Sequence, residues 1–192
     1  MFQQLIPALR MVLLLTVVTG LVYPGVVTGL CQVLFHDKAN GSLIEHNGHV
    51  IGSSLLGQNF AKPEYFHPRP SAAGNDGYDA SASSGSNFGP TSQKLADRMK
   101  ASADQFRKEN PDYEGPIPAD ALTASASGLD PHISVANANA QAARVAKARG
   151  VDPAAIETAI AAATEKRDLG ILGEPRVNVL ELNLKLDQQS AR

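Results

Sequence analysis

The sequence predicts a single N-terminal transmembrane helix carrying one α+β (mixed α/β) domain outside the cytoplasm. Three observations lead there. Residues 11–35 hold no charged side chain. Three later stretches repeat apolar residues at helical spacing, and an Asn-Gly turn and a run of alternating leucines mark strands. The 192 residues hold 17 Lys and Arg against 19 Asp and Glu, yet Arg10 is the only charged residue among the first 35. Residues 36–192 therefore carry 16 bases against 19 acids, a net −3. The expected organisation is a short cytoplasmic N-terminus (1–10), a transmembrane helix (11–35) and a soluble extracytoplasmic domain (36–192).

Met11 to Phe35 would form a helix of about 37 Å, enough to cross a hydrocarbon layer of roughly 30 Å. A soluble core helix needs some polar face, and this one has none. A cleavable signal has an apolar region of about 7–15 residues and a small-x-small cleavage site. This run is longer, and Cys31 to Phe35 offers no such site. Leu30 before Cys31 does not fit a lipoprotein signal. The run therefore reads as an uncleaved anchor. Arg10 precedes it, and Lys38 follows beside the offsetting Asp37, so the N-terminus is expected inside and the domain outside. Gly25 and Gly29 form a GxxxG face with Gly20 near it, a surface on which another helix packs closely. Pro24 lacks an N–H and frees the carbonyl of Gly20, predicting a kink.

Residues 42–46 and 49–56 flank Asn47-Gly48, the strongest short signal for a hairpin. Residues 57–90 lack periodicity but hold five of the seven aromatics that follow residue 35: Phe60, Tyr65, Phe66, Tyr78 and Phe88. Linkers lack aromatics, so an ordered loop pinned to the core is expected. Thr91 or Ser92 caps a helix reaching Glu109, with Leu95, Met99, Ala103 and Phe106 as its core stripe. Residues 111–133 read as irregular. Ser134 caps a helix ending at Arg149, with Gly150 at its C′ position. Asp152-Pro153 opens another, reaching about Arg167, with Ile156, Ile160 and Ala163 inward. In residues 176–186, Leu180, Leu182, Leu184 and Leu186 alternate with polar residues, which predicts a strand.

Several chemistries are excluded. The acidic balance leaves no basic stripe for nucleic acid. One cysteine makes neither an internal disulfide nor a cysteine-rich zinc site. There is no phosphate-binding G-x-x-x-x-G-K-[ST] loop and no G-x-S-x-G elbow. His46 and His49 flank a turn without converging, and His36 caps the membrane boundary. Ser92 and Lys94 lie two apart in a first helical turn, on different faces. Asp130 and His132 form a titratable pair that reads first as the order of a Pro-containing turn and second as the base of an anchored outer-face hydrolase. A soluble-ligand sensor is a third reading. Arg69, set between Pro68 and Pro70, has a guanidinium suited to an acidic group in the domain or on a partner.

Five segments carry a resemblance. They are Arg69-Pro70-Ser71-Ala72-Ala73-Gly74, Ser83-Ser84-Gly85-Ser86-Asn87-Phe88-Gly89-Pro90, Thr123-Ala124-Ser125-Ala126-Ser127-Gly128-Leu129-Asp130-Pro131-His132-Ile133-Ser134, Arg144-Val145-Ala146, and Gly173 to Asn183. Together with the N-terminal span they resemble the C-subunit family of Kdp-type potassium-transporting ATPases across nearly the whole chain. Val135 departs from the Pro expected after the third segment. The resemblance implies an accessory, non-catalytic subunit in a bacterial inner membrane. Its partners would be membrane lipid, a channel-like A subunit that carries potassium, an ATP-hydrolysing P-type B subunit and a small F subunit. It implies a role in assembly, described in the family as a catalytic chaperone raising the nucleotide affinity of the B subunit. No firmly bound cofactor is implied, and ATP enters only through that partner. The flanking charges set the domain across the membrane from ATP, and on that side the resemblance implies a place over the potassium entrance of the A subunit. A net −3 would favour cations there within a screening length of about 8–10 Å. Gly25, Gly29, Arg69, Asn87, Asp130 and His132 are the candidate partner contacts, on the helix, the 67–90 loop and the 124–134 turn.

Overall fold

The computed structural model describes residues 2–46 and 48–190. Asn47 of the expected hairpin turn lies outside the described residues. The chain divides into two compact units, one up to Ile51 and one from Gly52 onward.

In the first unit α1 (Leu5–Val17), one π-helical turn (Val18–Val22) and α2 (Tyr23–Leu34) run on as 30 residues, long and apolar enough to cross a membrane. The helix starts at Leu5 rather than Met11. Pro7 lies in its first turn, where the N–H it lacks would have no partner. Tyr23 N–H reaches back to the Val18 carbonyl, five residues away. This widened turn ends just before Pro24, where the regular ladder must break. No residue of the helix is buried. The short α3 (His36–Ala39) follows, and Gln32 and Asn40 exchange side-chain hydrogen bonds of 3.3 and 3.2 Å across the break between α2 and α3. β1 (Leu43–His46) and β2 (His49–Ser53) form the expected two-stranded sheet, with β2 stopping at Ser53 instead of Leu56.

The second unit places helices around a three-stranded antiparallel sheet of order β3–β5–β4. β3 (His132–Ser134) pairs with β5 (Arg176–Asn178), Ile133 opposite Val177. β4 (Thr164–Glu165) pairs on the other side, Glu165 opposite Arg176. The core joins Ile133 and Val177 of the sheet to Val145, Ile156, Ile160 and Leu182 of the helices, and to Phe66 of the long loop.

Local signals set several elements as expected. Ser134 Oγ accepts the Asn137 N–H at 3.0 Å, opening α6 (Val135–Arg149). Gly150 ends it at φ 66°, and Val151 N–H closes onto the Ala146 carbonyl at 3.1 Å, a left-handed stop that glycine adopts without strain. Asp152 Oδ1 accepts from Ala154 N–H at 2.8 Å and Pro153 opens α7 (Pro153–Ala163).

Four expectations are corrected. First, α7 ends at Ala163, not Arg167. Thr164 turns extended, its hydroxyl bonds the Ile160 carbonyl at 2.7 Å, and its backbone joins the sheet. Second, residues 179–190 form helix α8 (Val179–Ser190), not a strand. Val179, Leu182, Asn183 and Leu186 share its buried face, at spacings of three and four. Asn178 Oδ1 accepts the Glu181 N–H at 3.1 Å, so an Asn-x-x-Glu start overrides the alternation of leucines. Third, only Phe106 of the expected stripe of α4 (Gln93–Glu109) is buried, and Met99 is exposed, because this helix lies outside the main core. Fourth, residues 111–133 are not wholly irregular. They contain α5 (Ala119–Leu122), whose Asp120 carboxylate accepts from Ser134 N–H, Ser134 Oγ and Asn137 Nδ2 at 2.7–3.0 Å.

Candidate functional site

The long segment between β2 and α4 contains no helix or strand, yet it is held. Asn183 of α8 donates to the Phe66 carbonyl at 3.0 Å and accepts its N–H at 2.8 Å. Gln141 of α6 does the same for His67, at 3.1 and 2.7 Å. Arg144 of α6 reaches the carbonyls of Pro63 and Tyr65 at 2.6 and 2.9 Å, and Arg149 that of Glu64 at 2.7 Å. Side-chain amides and guanidinium groups thus take the place of a neighbouring strand. Phe66 is fully buried there, as is Ala73 further along the loop. Phe88 departs from the expected pattern and is 38% exposed.

Beyond Phe66 the loop meets the 124–134 turn. Ser71 Oγ donates to the Gly128 carbonyl at 2.6 Å, and Ser84 Oγ to that of Ala72 at 2.7 Å. Gly128 has φ 68°, and a Cβ there would lie 2.6 Å from the Ser84 carbonyl oxygen. Only glycine satisfies both the backbone and this close approach.

At this junction the structure brings three of the candidate residues together. Arg69 Nη1 donates to Asp130 Oδ2 at 3.1 Å. The Tyr78 hydroxyl holds the Arg69 carbonyl at 2.7 Å. Asp130 Oδ1 accepts the His132 N–H at 3.0 Å and lies 3.4 Å from His132 Nδ1. His132 Nε2 lies 3.5 Å from Glu165 Oε1, and Arg176 Nε pairs with Glu165 Oε2 at 2.9 Å. The result is a chain of alternating charge: Arg69, Asp130, His132, Glu165, Arg176. Burial pushes the Asp130 carboxyl up, but the His132 hydrogen bonds and the Arg69 charge outweigh it and hold it below its usual 3.8. The hydrogen bond to Asp130 raises the His132 pKa above 6.5, burial opposes this, and the Glu165 carboxylate adds to the rise. Burial beside Asp130 keeps the Tyr78 phenol protonated well above its usual range.

Both ring nitrogens of His132 thus face carboxylates, and both oxygens of Asp130 face cations or donors. The pair knits the loop, the turn and the sheet, which is the ordering role foreseen for the turn, and the hydrolase alternative gains no support from it. Next to it a groove of about 690 Å³ runs between the loop and α4, lined by Arg69, Tyr78, Phe106 and Glu109 among others. His67 Nδ1 lies 3.0 Å from Glu109 Oε2 in its wall. That hydrogen bond lowers the Glu109 pKa against the opposing effect of burial, and Gln105 adds to the lowering.

The other candidates lie elsewhere. Asn87 is exposed with φ 50°, a conformation asparagine tolerates. A Cβ at Gly25 or Gly29 would meet nothing within 4 Å. Glu165 and Asp120 escaped the sequence reading. Glu165 lies in the stretch expected to be helix, and Asp120 is 14 residues before Ser134, too far for a local pattern to pair the two.

A family model described as K+-transporting ATPase, c chain, KdpC, matches residues 5–188. Relatives share the likeness along nine tenths or more of their length. The potassium-transporting ATPase KdpC subunit of Koribacter versatilis (strain Ellin345) is 56% identical over 97% of this chain and 95% of its own. That of Myxococcus xanthus is 55% identical over 98% and 90%, and that of Mycobacterium bovis (strain BCG / Pasteur 1173P2) is 54% identical over 98% and 100%.

Proposed function

The chain belongs to the KdpC family of K+-transporting ATPase c chains, and from that premise we propose how this accessory subunit of the Kdp complex acts. It is a non-catalytic assembly partner, anchored by one helix in a bacterial inner membrane, with the N-terminus in the cytoplasm and the domain on the periplasmic side. The observation that carries the reading is the helix Leu5–Leu34, no residue of which is buried by its own chain. A helix so apolar needs lipid and other helices around it. Arg10 before the span and the mutually offsetting Asp37 and Lys38 after it support the orientation.

The Gly25/Gly29 face packs against helices of the complex, and small residues there let backbones approach. The 67–90 loop, with Arg69 and Asn87, and the 124–134 turn, with Asp130 and His132, cap the channel-like A subunit. The pairing of Arg69 with Asp130 keeps that cap in one shape before docking, which lowers the cost of binding. The net −3 of the domain favours cations at the entrance over short distances. Any effect on the ATP affinity of the B subunit passes through the membrane subunits, since the domain and the nucleotide lie on opposite faces.

The test is affinity purification of the tagged full-length chain in mild detergent. The A, B and F subunits should accompany the wild type, and Arg69→Ala should reduce their recovery by about fivefold or more, a loss of ~1 kcal/mol. Purification of the wild type without any of them sinks the assembly reading. Full recovery with Arg69→Ala removes the loop from the interface.

A further inference from the structure

Between β4 and β5 the chain makes an exposed turn whose apolar tip takes no part in the charge chain or the groove. Its tip holds Leu169, Ile171 and Leu172, which are 88%, 76% and 55% exposed. The first two are the most exposed large apolar side chains among the described residues from Gly52 onward. Isolated exposed leucines are ordinary, but three within four residues on one turn are a patch.

The turn is rigid. Asp168 N–H donates to the Leu172 carbonyl and Leu172 N–H to the Asp168 carbonyl, each at 2.9 Å. Gly170 N–H and Ile171 N–H bond the carbonyls of Arg167 and Asp168 at 3.1 and 3.2 Å. Leu169 has φ 53°, a conformation that strains a branched side chain and that glycine would adopt freely. A leucine at such a position is costly to the fold, so it points to a use outside the fold.

The charges below the tip argue against a lipid surface as its occupant. Residues 164–176 hold three bases and three acids. Arg167 pairs with Glu174 at 2.6 Å, and Arg176 with Glu165 at 2.9 Å and Asp168 at 3.5 Å. A lipid-binding loop would offer surplus Lys and Arg to anionic headgroups and aromatic residues to the interface. This one is neutral, holds no Trp or Tyr, and is stiff. Three aliphatic side chains also cover far less than the roughly 800 Å² per partner of a free-standing interface, which argues against self-association through the tip alone. Such a contact works where the membrane anchor already holds both partners close.

We propose that the 168–172 tip is a knob that inserts into a preformed apolar pocket on another protein subunit of the same membrane complex. This rests on the assembly reading above and adds a docking element separate from the 67–90 loop and the helix.

The test co-expresses the full-length chain, carrying a photoreactive residue at position 171, with the rest of the complex. Irradiation should join the chain to another subunit of the ATPase, and the same probe at Glu157, on the polar face of α7, should not. A lipid adduct, an adduct to a second copy of this chain, or no adduct would each overturn the proposal. In parallel, the double variant Leu169→Gly, Ile171→Ser should lower recovery of the complex on the order of tenfold. Its unfolding midpoint should not fall, since glycine relieves the strain at position 169. Undiminished recovery refutes the knob. Failure of the wild-type chain to recover any ATPase subunit is a different outcome, which removes the assembly reading and the knob with it.

Discussion

The membrane-type helix and the segment between β2 and α4 solve the same problem in opposite ways. Each must satisfy its backbone N–H and C=O groups. The helix does so internally, across Leu5–Leu34, and buries none of its residues. The segment has no repeating pattern, yet Phe66 and Ala73 are wholly buried in it. Around Phe66 its backbone groups are met by Gln141, Arg144, Arg149 and Asn183, all side chains of α6 and α8. Regularity and burial are therefore separate properties in this chain. The regular region keeps its whole surface for neighbours, and the irregular one has spent its backbone on its own domain. The two should answer differently to mutation.

The largest effect is expected at Arg144. Its guanidinium serves four acceptors: the Pro63 and Tyr65 carbonyls, Asn110 Oδ1 at 3.0 Å and Gln141 Oε1 at 2.7 Å. Arg144→Met keeps much of the volume and strands those acceptors in a buried site. Destabilisation of about 3 kcal/mol or more follows, as for other broken buried networks. Denaturant unfolding of the detergent-solubilised chain measures it, and proteolysis within residues 57–90 should quicken. A loss under ~1 kcal/mol would mean that the segment is not held from α6.

A smaller, pH-dependent effect is expected at His132, which joins the loop to the sheet. Its pKa is raised above 6.5 in the fold, so the protonated form is the one the fold favours. The resulting stability is fully present below about pH 6.5 and is lost as pH rises through the higher folded value. His132→Gln cannot be protonated, so it should cost roughly 1 kcal/mol near pH 6 and progressively less in more alkaline buffer. Unfolding midpoints of the two proteins across that range test the sign. A gap that widens with pH would reverse it.

What was legible in the sequence was what is decided locally. Ser134, Gly150 and the Asp152-Pro153 pair mark helix ends through bonds to residues two to five away, and they mark them correctly. The order of the long loop was legible from its aromatics, though exposed Phe88 shows that composition does not say which of them is buried. The residues that pin it were not legible, because Gln141, Arg144 and Asn183 sit on helices where polar side chains normally face water. α8 was misread because leucines at 180, 182, 184 and 186 satisfy period two and, in pairs four apart, a helix as well; the Asn178-x-x-Glu181 start was the deciding signal. In the charge chain, an acidic partner for Arg69 was foreseeable from its two flanking prolines. Glu165 was not, since its place in the sheet depends on Thr164 leaving the helix. The knob was hidden for a related reason: a short apolar run reads as core until the fold leaves it outside.

The smallest effect on stability, and the sharpest form of the comparison, is expected at Gly25. A Cβ there meets nothing within 4 Å, and the backbone of α2 is helical on both sides of it. Gly25→Leu therefore creates no clash within the chain and removes an unfavourable helix glycine, so unfolding of the detergent-solubilised protein should shift by less than about 0.5–1 kcal/mol. In the complex the same leucine would stand where a neighbouring helix packs against the GxxxG face, and four added carbons cannot fit a close backbone approach. Recovery of the other subunits should then fall while the chain alone stays as stable as the wild type. Arg144→Met reverses the order, unfolding the domain first and losing the complex as a consequence. If Gly25→Leu lowers neither, the helix is an anchor in lipid and nothing more, and assembly rests on the domain alone.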